Sequence, residues 1–235
     1  MSTTTLPSPA DASLRTHAEQ LIRGRRAIRA FRPDPVPDET LRSVFSLAGA
    51  APSNSNTQPW CVEVVSGSAR DRLGADLRVA HEAGRMTPDY PYDEAMYSDI
   101  HNERRAAAGA AMYGALGIGR EDHAARAAYD VESLDFYGAP HVALLFLPSS
   151  AEVRMAADVG MYGQTLLLAL TAHGIASCPQ GLLSFYADTV RRSLDVPEDR
   201  KLLLGISFGY ADPSAPVNSI TVPRADLSET TRFTE

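Results

Sequence analysis

Two short stretches of this chain concentrate groups able to bind a ligand. Ala50-Ala51-Pro52-Ser53-Asn54-Ser55-Asn56-Thr57-Gln58-Pro59-Trp60 packs hydrogen-bonding side chains and turn formers between a helical pattern and a strand pattern. Upstream, Arg25-Arg26-Ala27-Ile28-Arg29-Ala30-Phe31 places three guanidinium groups within five residues, followed by Pro33, Pro35 and Pro37. Guanidinium forks match phosphate oxygens, and Lys201 is the sole lysine, so an anion site here must be built mainly from arginine. Together the stretches suggest a phosphate-bearing planar cofactor. Each also has a plainer reading: an Arg-Arg pair is often a solvated face, and Ser53 to Asn56 could simply cap a helix.

The elements around these stretches follow from periodicity. Leu14, Ala18, Leu21 and Ile22 predict an amphipathic helix leading into the arginines, and Pro33 to Pro37 stop it. Asp38-Glu39 opens a second helix whose stripe of Leu41, Val44, Phe45 and Ala48 delivers Pro52 to Gln58 at its C-terminal end. Trp60, Val62 and Val64 alternate as a strand. A helix is expected from Ala69 to Ala83, then a long loop carrying Tyr90, Tyr92 and Tyr97, and helices within Glu103 to Leu116 and Glu121 to Leu134. His141 to Leu147 is an unbroken apolar run, hence a strand covered on both faces. Val153 to His173 reads as a largely buried helix interrupted by Asp158 and Gln164, and Gly174 ends it. Ser177 to Gly181 reads as a polar loop, Ala187 to Leu194 as a short helix, Leu202 to Tyr210 as a strand and Ala211 to Glu235 as a Pro-bearing tail. Many helices and few strands in this order imply a three-layer α+β arrangement. The expected organisation is a flexible tail over 1–13 and one domain over 14–235 with a C-terminal extension.

Composition excludes several classes. The chain has 235 residues, of which 44% are hydrophobic, enough for a packed core. A net charge of −7 without a basic stripe argues against nucleic-acid binding. Val142 to Leu147 and Leu166 to Leu170, the longest apolar runs, are far below the about 18 residues of a spanning helix. Met1 to Asp11 shows no basic or apolar region of a secretory signal, so a cytoplasmic location is expected. Cys61 and Cys178 are isolated and read as buried free thiols. The histidines show no ligand spacing, so no metal site is expected, and His141 and His173 read as satisfied polar residues. Gly114, Gly117 and Gly119 follow a helix with reversed spacing and read as a turn rather than a dinucleotide fingerprint.

Four ordered segments carry a family resemblance over nearly the whole chain. They are Arg25 to Phe31, Ala51 to Trp60, Cys178-Pro179-Gln180-Gly181, and Leu204-Gly205-Ile206-Ser207-Phe208-Gly209-Tyr210 leading to Arg224. In that order the chain resembles the FMN-dependent nitroreductase family, and Phe136-Tyr137-Gly138-Ala139-Pro140 with the Tyr-rich insertion resembles its nitrobenzoate-type branch. The resemblance implies a nitroreductase-like fold, a mixed central sheet flanked by helices, in an intertwined homodimer with two interface flavin sites. NAD(P)H, with NADPH favoured by the branch, would reduce FMN at N5, and a nitroaromatic or quinone acceptor would then take its place. The same cofactor clamp would serve a flavin dehydrogenase, a reductive dehalogenase or a non-catalytic flavin-binding module.

The resemblance also assigns residues. Arg25 and Arg224 would grip the FMN phosphate, Arg26 and Ala27 would line the same stretch, and Arg29 would lie near the flavin N1/O2 edge. A positive charge there favours anionic reduced flavin. Pro52, Ser53, Asn54 and Asn56 would reach the ring and ribityl chain from the partner subunit, while Pro179, Gln180 and Gly181 would pass beside the ring with a backbone N–H toward N5. No side chain is assigned as catalytic acid or base, because the cofactor carries the difficult step. Ala27 stands where many relatives carry serine, and Gln180 where some branches carry an acid. Trp60 is expected in the core, and Tyr90, Tyr92, Tyr97 and Phe136 either form a substrate lid or pack the loop down.

Overall fold

The computed structural model describes residues 12–235. Helix α1 spans Ala12–Gly24, α2 Asp38–Ala48, strand β1 Cys61–Ser66, α3 Gly67–Glu82, α4 Asp99–Ala115, α5 His123–Leu134 and β2 His141–Pro148. They are followed by α6 Val153–Ala172, β3 Ala176–Gln180, α7 Ala187–Leu194, β4 Arg200–Gly209 and the short α8 Leu227–Thr230. Of the expected N-terminal tail, only Ala12 and Ser13 lie within the described residues, and they open α1. Local chemistry accounts for the boundaries. Asp38 and Glu39 place negative charge in the first turn of α2, and Gly117 and Gly174 adopt φ of +70° and +71° just beyond α4 and α6.

The strand order is β1-β2-β4-β3, and all three pairings are antiparallel. The parallel component of the expected mixed sheet shrinks to one bridge, Ala27 with Ser177. The reason is topological. Strands β2 and β3 run in the same direction through the α6 crossover, but β4 inserts between them, so each hydrogen-bonded neighbour is antiparallel.

Strand β2 sorts the core. Val142, Leu144 and Phe146 pack with Leu73 and Leu77 of α3, Leu134 of α5 and Val190 of α7. Ala143, Leu145 and Leu147 pack with Val44 and Ala48 of α2 and Val159, Leu166 and Leu170 of α6. Each of these side chains is buried, which contributes about 1.5–3 kcal/mol per large aliphatic group. The expected three layers are therefore present, with helices on both faces of the sheet.

Two expectations change. Of Ser177 to Gly181, read as a polar loop, all but Gly181 belongs to edge strand β3, because Ala176 and Cys178 pack on the core while the main chain pairs with β4. The C-terminal tail carries a 3₁₀ turn, Pro216–Ser219, and α8. Helix α8 is stabilised by a reciprocal Asp226/Glu229 capping box.

Candidate functional site

The arginine stretch leaves α1 as an extended segment pinned on two sides. On one side Ala27 bridges Ser177 of β3, and Ile28 N–H donates to the Ser177 carbonyl at 3.0 Å. On the other, Arg32 N–H donates to the Tyr210 carbonyl at 2.8 Å and Phe31 bridges Ala211. Buried Ile28 and Phe31 anchor this segment in the core; Arg29 between them is half-buried with its guanidinium against Tyr137, Arg25 is half-buried, and Arg26 is exposed.

Arg25, Arg26, Arg29 and Arg224 form no ion pair among the described residues, as is true of most arginines of the chain; what marks Arg25 and Arg224 is that the two charges lie close to each other. Burial lowers the Arg25 pKa, and the charge of Arg224 lowers it further. Like charges held together in a half-buried place without a carboxylate are unfavourable unless a multivalent anion joins them. Arg224 is exposed, and its Nη1 donates to the Val222 carbonyl at 2.8 Å. The structure thus brings together Arg25, Ala27 and Arg29 with the edge of β3, and Arg224 with Arg25. Arg26 stands exposed on the same stretch.

The second group, Pro52 to Asn56, is held by α6 instead. Asn54 N–H donates to Asp158 Oδ1 at 3.1 Å, and Asp158 is 3% exposed with Oδ2 unpartnered. Ser55, Asn56 and Gln58 all adopt positive φ, at 51°, 56° and 48°. Such backbone costs roughly 1–3 kcal/mol per residue and persists at sites that use it. Part of the loop's chemistry is internal: Ser53 Oγ accepts from Gln58 N–H at 2.9 Å, and Gln58 Nε2 donates to Asn56 Oδ1 at 3.0 Å. Pro52 and the Asn54 side chain remain exposed. Trp60 stacks on Tyr162 with centroids 5.0 Å apart, partly buried against the core.

Around β3, Pro179 and Gly181 are exposed, but the Gln180 side chain turns inward. Its Nε2 donates to the Ser133 carbonyl at 2.7 Å and its Oε1 accepts from Ser207 Oγ. The side chain is therefore a core bridge rather than a group turned to the surface. A neutral amide suits this place because it satisfies a carbonyl and a hydroxyl at once; a carboxylate would oppose Ser133 O. Beneath the arginines lies Cys178, whose thiol burial pushes up to about 11 against the pull of Arg29 and Arg25. That thiol is inert at neutral pH. Cys61 is half-buried rather than buried. Burial likewise raises the phenols of Tyr129 and Tyr137 near Arg29.

Phe136 is fully buried under Arg70, so it is a core residue rather than a lid. Tyr92 packs on Phe185 and Tyr97 at 5.2 and 6.4 Å and keeps 43% of its surface exposed. His141 is the satisfied residue expected: Val36 N–H donates to Nε2 at 2.9 Å, which leaves the ring proton on Nδ1 facing Ser66 Oγ at 2.5 Å. His173 Nδ1 faces the Ala169 carbonyl at 2.8 Å. Sequence reasoning missed the anchoring roles of Asp158 and Asn218. Asp158 was legible as an acid interrupting an apolar helix; Asn218 had no local signature.

A model of the nitroreductase family matches residues 22–210. The nitroreductase NfnB of Mycolicibacterium smegmatis is 62% identical over 233 residues, covering 99% of both chains. A 4-nitrobenzoate reductase of Pseudomonas putida is 33% identical, with 92% of this chain and 94% of the relative covered. The crystal structure of FMN-dependent NfnB from Mycobacterium smegmatis in complex with NADPH superimposes with a TM-score of 0.92, at 63% identity, covering 94% of this chain and all of that one.

Proposed function

This chain belongs to the nitroreductase family, and we propose that it is an FMN-dependent oxidoreductase that uses NADPH to reduce nitroaromatic compounds, and quinones as further acceptors. The observation that carries the cofactor assignment is the half-buried Arg25 with the charge of Arg224 close to it and, among the described residues, no carboxylate paired to either. Arg25 and Arg224 fit a phosphate dianion, which would relieve their mutual repulsion. The relatives support the rest: one solved structure is named as FMN-dependent with NADPH bound, and another relative is named for nitrobenzoate reduction.

FMN held there would supply two-electron redox chemistry between NADPH and the acceptor. The chain's own residues hold and tune. Arg25, Arg26, Ala27 and Arg224 bind the phosphate end, with Ala27 contributing its main chain. Arg29 sets positive charge at the pyrimidine edge. The main chain of Pro179, Gln180 and Gly181 borders the ring, and Tyr92, Tyr97 and Phe185 provide apolar wall for a planar acceptor.

The working unit is a homodimer. No residue of α1 is buried within the protomer, and a helix of this length is marginal unless something covers it. Ile22, Leu47 and Met161, on α1, α2 and α6, are 59%, 50% and 39% exposed. The same α6 anchors the Pro52 to Asn56 loop, so a second copy packed there would receive Pro52, Ser53, Asn54 and Asn56 at its own flavin. A cytoplasmic location, where NADPH is supplied, fits this reading; no helix among the described residues is long and apolar enough to cross a membrane. The test is anaerobic NADPH oxidation with 4-nitrobenzoate. Consumption of NADPH coupled to loss of the nitro group is expected, and oxidation that ignores the acceptor would refute the assignment.

A further inference from the structure

Asn218 sits in the 3₁₀ turn Pro216–Ser219 and is 8% exposed. Its side chain spends its hydrogen-bonding capacity on main chain. Oδ1 accepts from Arg29 N–H at 2.8 Å, and Nδ2 donates to the Ala30 carbonyl at 2.8 Å and the Asp212 carbonyl at 2.9 Å. Asp212 N–H donates back to Ala30 O at 3.0 Å. One buried amide thus grips the N–H of the Ile28–Arg29 peptide and the carbonyl of the Ala30–Phe31 peptide, bracketing Arg29 and Ala30, and ties them to the segment that continues to Arg224. Only an amide offers one acceptor and two donors in this plane.

The grip is opposite the β3 contacts of Ala27 and Ile28. Together they fix the extended backbone from which Arg29 projects, although the Asn218 side chain makes its contacts with main chain alone. We propose that Asn218 is a positioning residue for the cofactor: it fixes the peptide of Arg29 so that the guanidinium meets the flavin without an ordering cost at binding. This rests on the FMN reading and adds a residue that acts through Arg29. Preorganisation of this kind raises affinity by lowering what binding must order.

Asn218→Ala, Arg29→Ala, the double variant and Val217→Ala would be compared by FMN titration, by the two-electron midpoint potential of bound flavin, and by melting of the apoprotein. Asn218→Ala is expected to raise the FMN Kd about ten-fold, the low end of the worth of the charge-assisted Arg29 contact that would be left unpositioned. It should also shift the potential negative, in the direction Arg29→Ala shifts it, and the double variant should be no weaker than Arg29→Ala. Val217, 3% exposed in the same turn, controls for mere loosening: its alanine variant should lower the melting temperature and leave Kd unchanged.

An unchanged Kd in Asn218→Ala, independent multiplication of the two losses, or an equal loss in Val217→Ala would overturn the proposal. If Asn218→Ala does not fold, Asn218→Ser keeps an acceptor for Arg29 N–H and should show a smaller loss in the same pattern. Wild-type protein that retains no FMN, or an Arg29→Ala variant of unaltered affinity, would bring down the underlying reading and the proposal together. Wild-type binding with an Arg29 effect and an inert Asn218 would bring down the proposal alone.

Discussion

Arg224→Ala should move two properties in different directions. In the apoprotein Arg224 donates to its own irregular segment at Val222 O and lies close enough to Arg25 to add to the lowering of its pKa by burial. Removing the charge relieves repulsion. Because Arg224 is exposed and solvent screens the pair, the gain is limited to a few tenths of a kcal/mol, and apoprotein melting should be unchanged or slightly raised. In the proposed complex the same arginine would make a charge-assisted contact to phosphate worth about 1.5–3 kcal/mol, so FMN affinity should fall by a factor of about 10 to 150. The loss should be greatest at low ionic strength, and the variant's affinity should depend less on salt. FMN fluorescence titration at two salt concentrations and apoprotein melting measure both sides. Unchanged affinity would remove Arg224 from the site; a large apoprotein destabilisation would make it a structural residue.

Three further outcomes follow from the geometry. Burial lowers the His141 pKa, with Asp38 partly opposing, so the fold prefers neutral imidazole. The sign is then fixed: stability is full above the unfolded value of about 6.5 and falls as pH drops below it, by at most about 1.4 kcal/mol per pH unit until the lowered folded value is reached. Urea midpoints should show this slope and His141→Gln should flatten it; equal slopes would refute the assignment. Gly209→Ala would put a methyl 2.6 Å from Pro140 Cδ, a rigid ring, so chemical denaturation should show a loss of about 1–3 kcal/mol, and a neutral variant would contradict the packing. Mixing inactive Arg25→Ala and Asn54→Ala chains should restore one intact site per heterodimer, read as recovered turnover; no recovery argues that each site is built within one subunit.

The helices and the central strand were legible because local rules and tertiary packing agree there. The run His141 to Leu147 is apolar at every position after the histidine and is buried on both faces, and Gly174 and Gly117 mark real helix ends. Strand β3 was disguised because Ser177 and Gln180 look like loop residues until Ser133 and Ser207 are seen to satisfy the glutamine. The two candidate ligand-binding stretches stood out by composition, but composition did not show that Ser53 and Asn56 also satisfy Gln58. Asn218 was illegible for a simple reason: its partners Arg29 and Ala30 lie 189 and 188 residues away, so no local pattern could mark it.

The central claim is that this chain holds FMN and lets NADPH reduce it. The visible absorption spectrum of FMN-reconstituted, desalted protein, recorded anaerobically before and after NADPH, tests it most directly. A flavin spectrum that survives desalting and bleaches on NADPH addition is the predicted result; no retained flavin, or a retained flavin that NADPH leaves coloured, would contradict it.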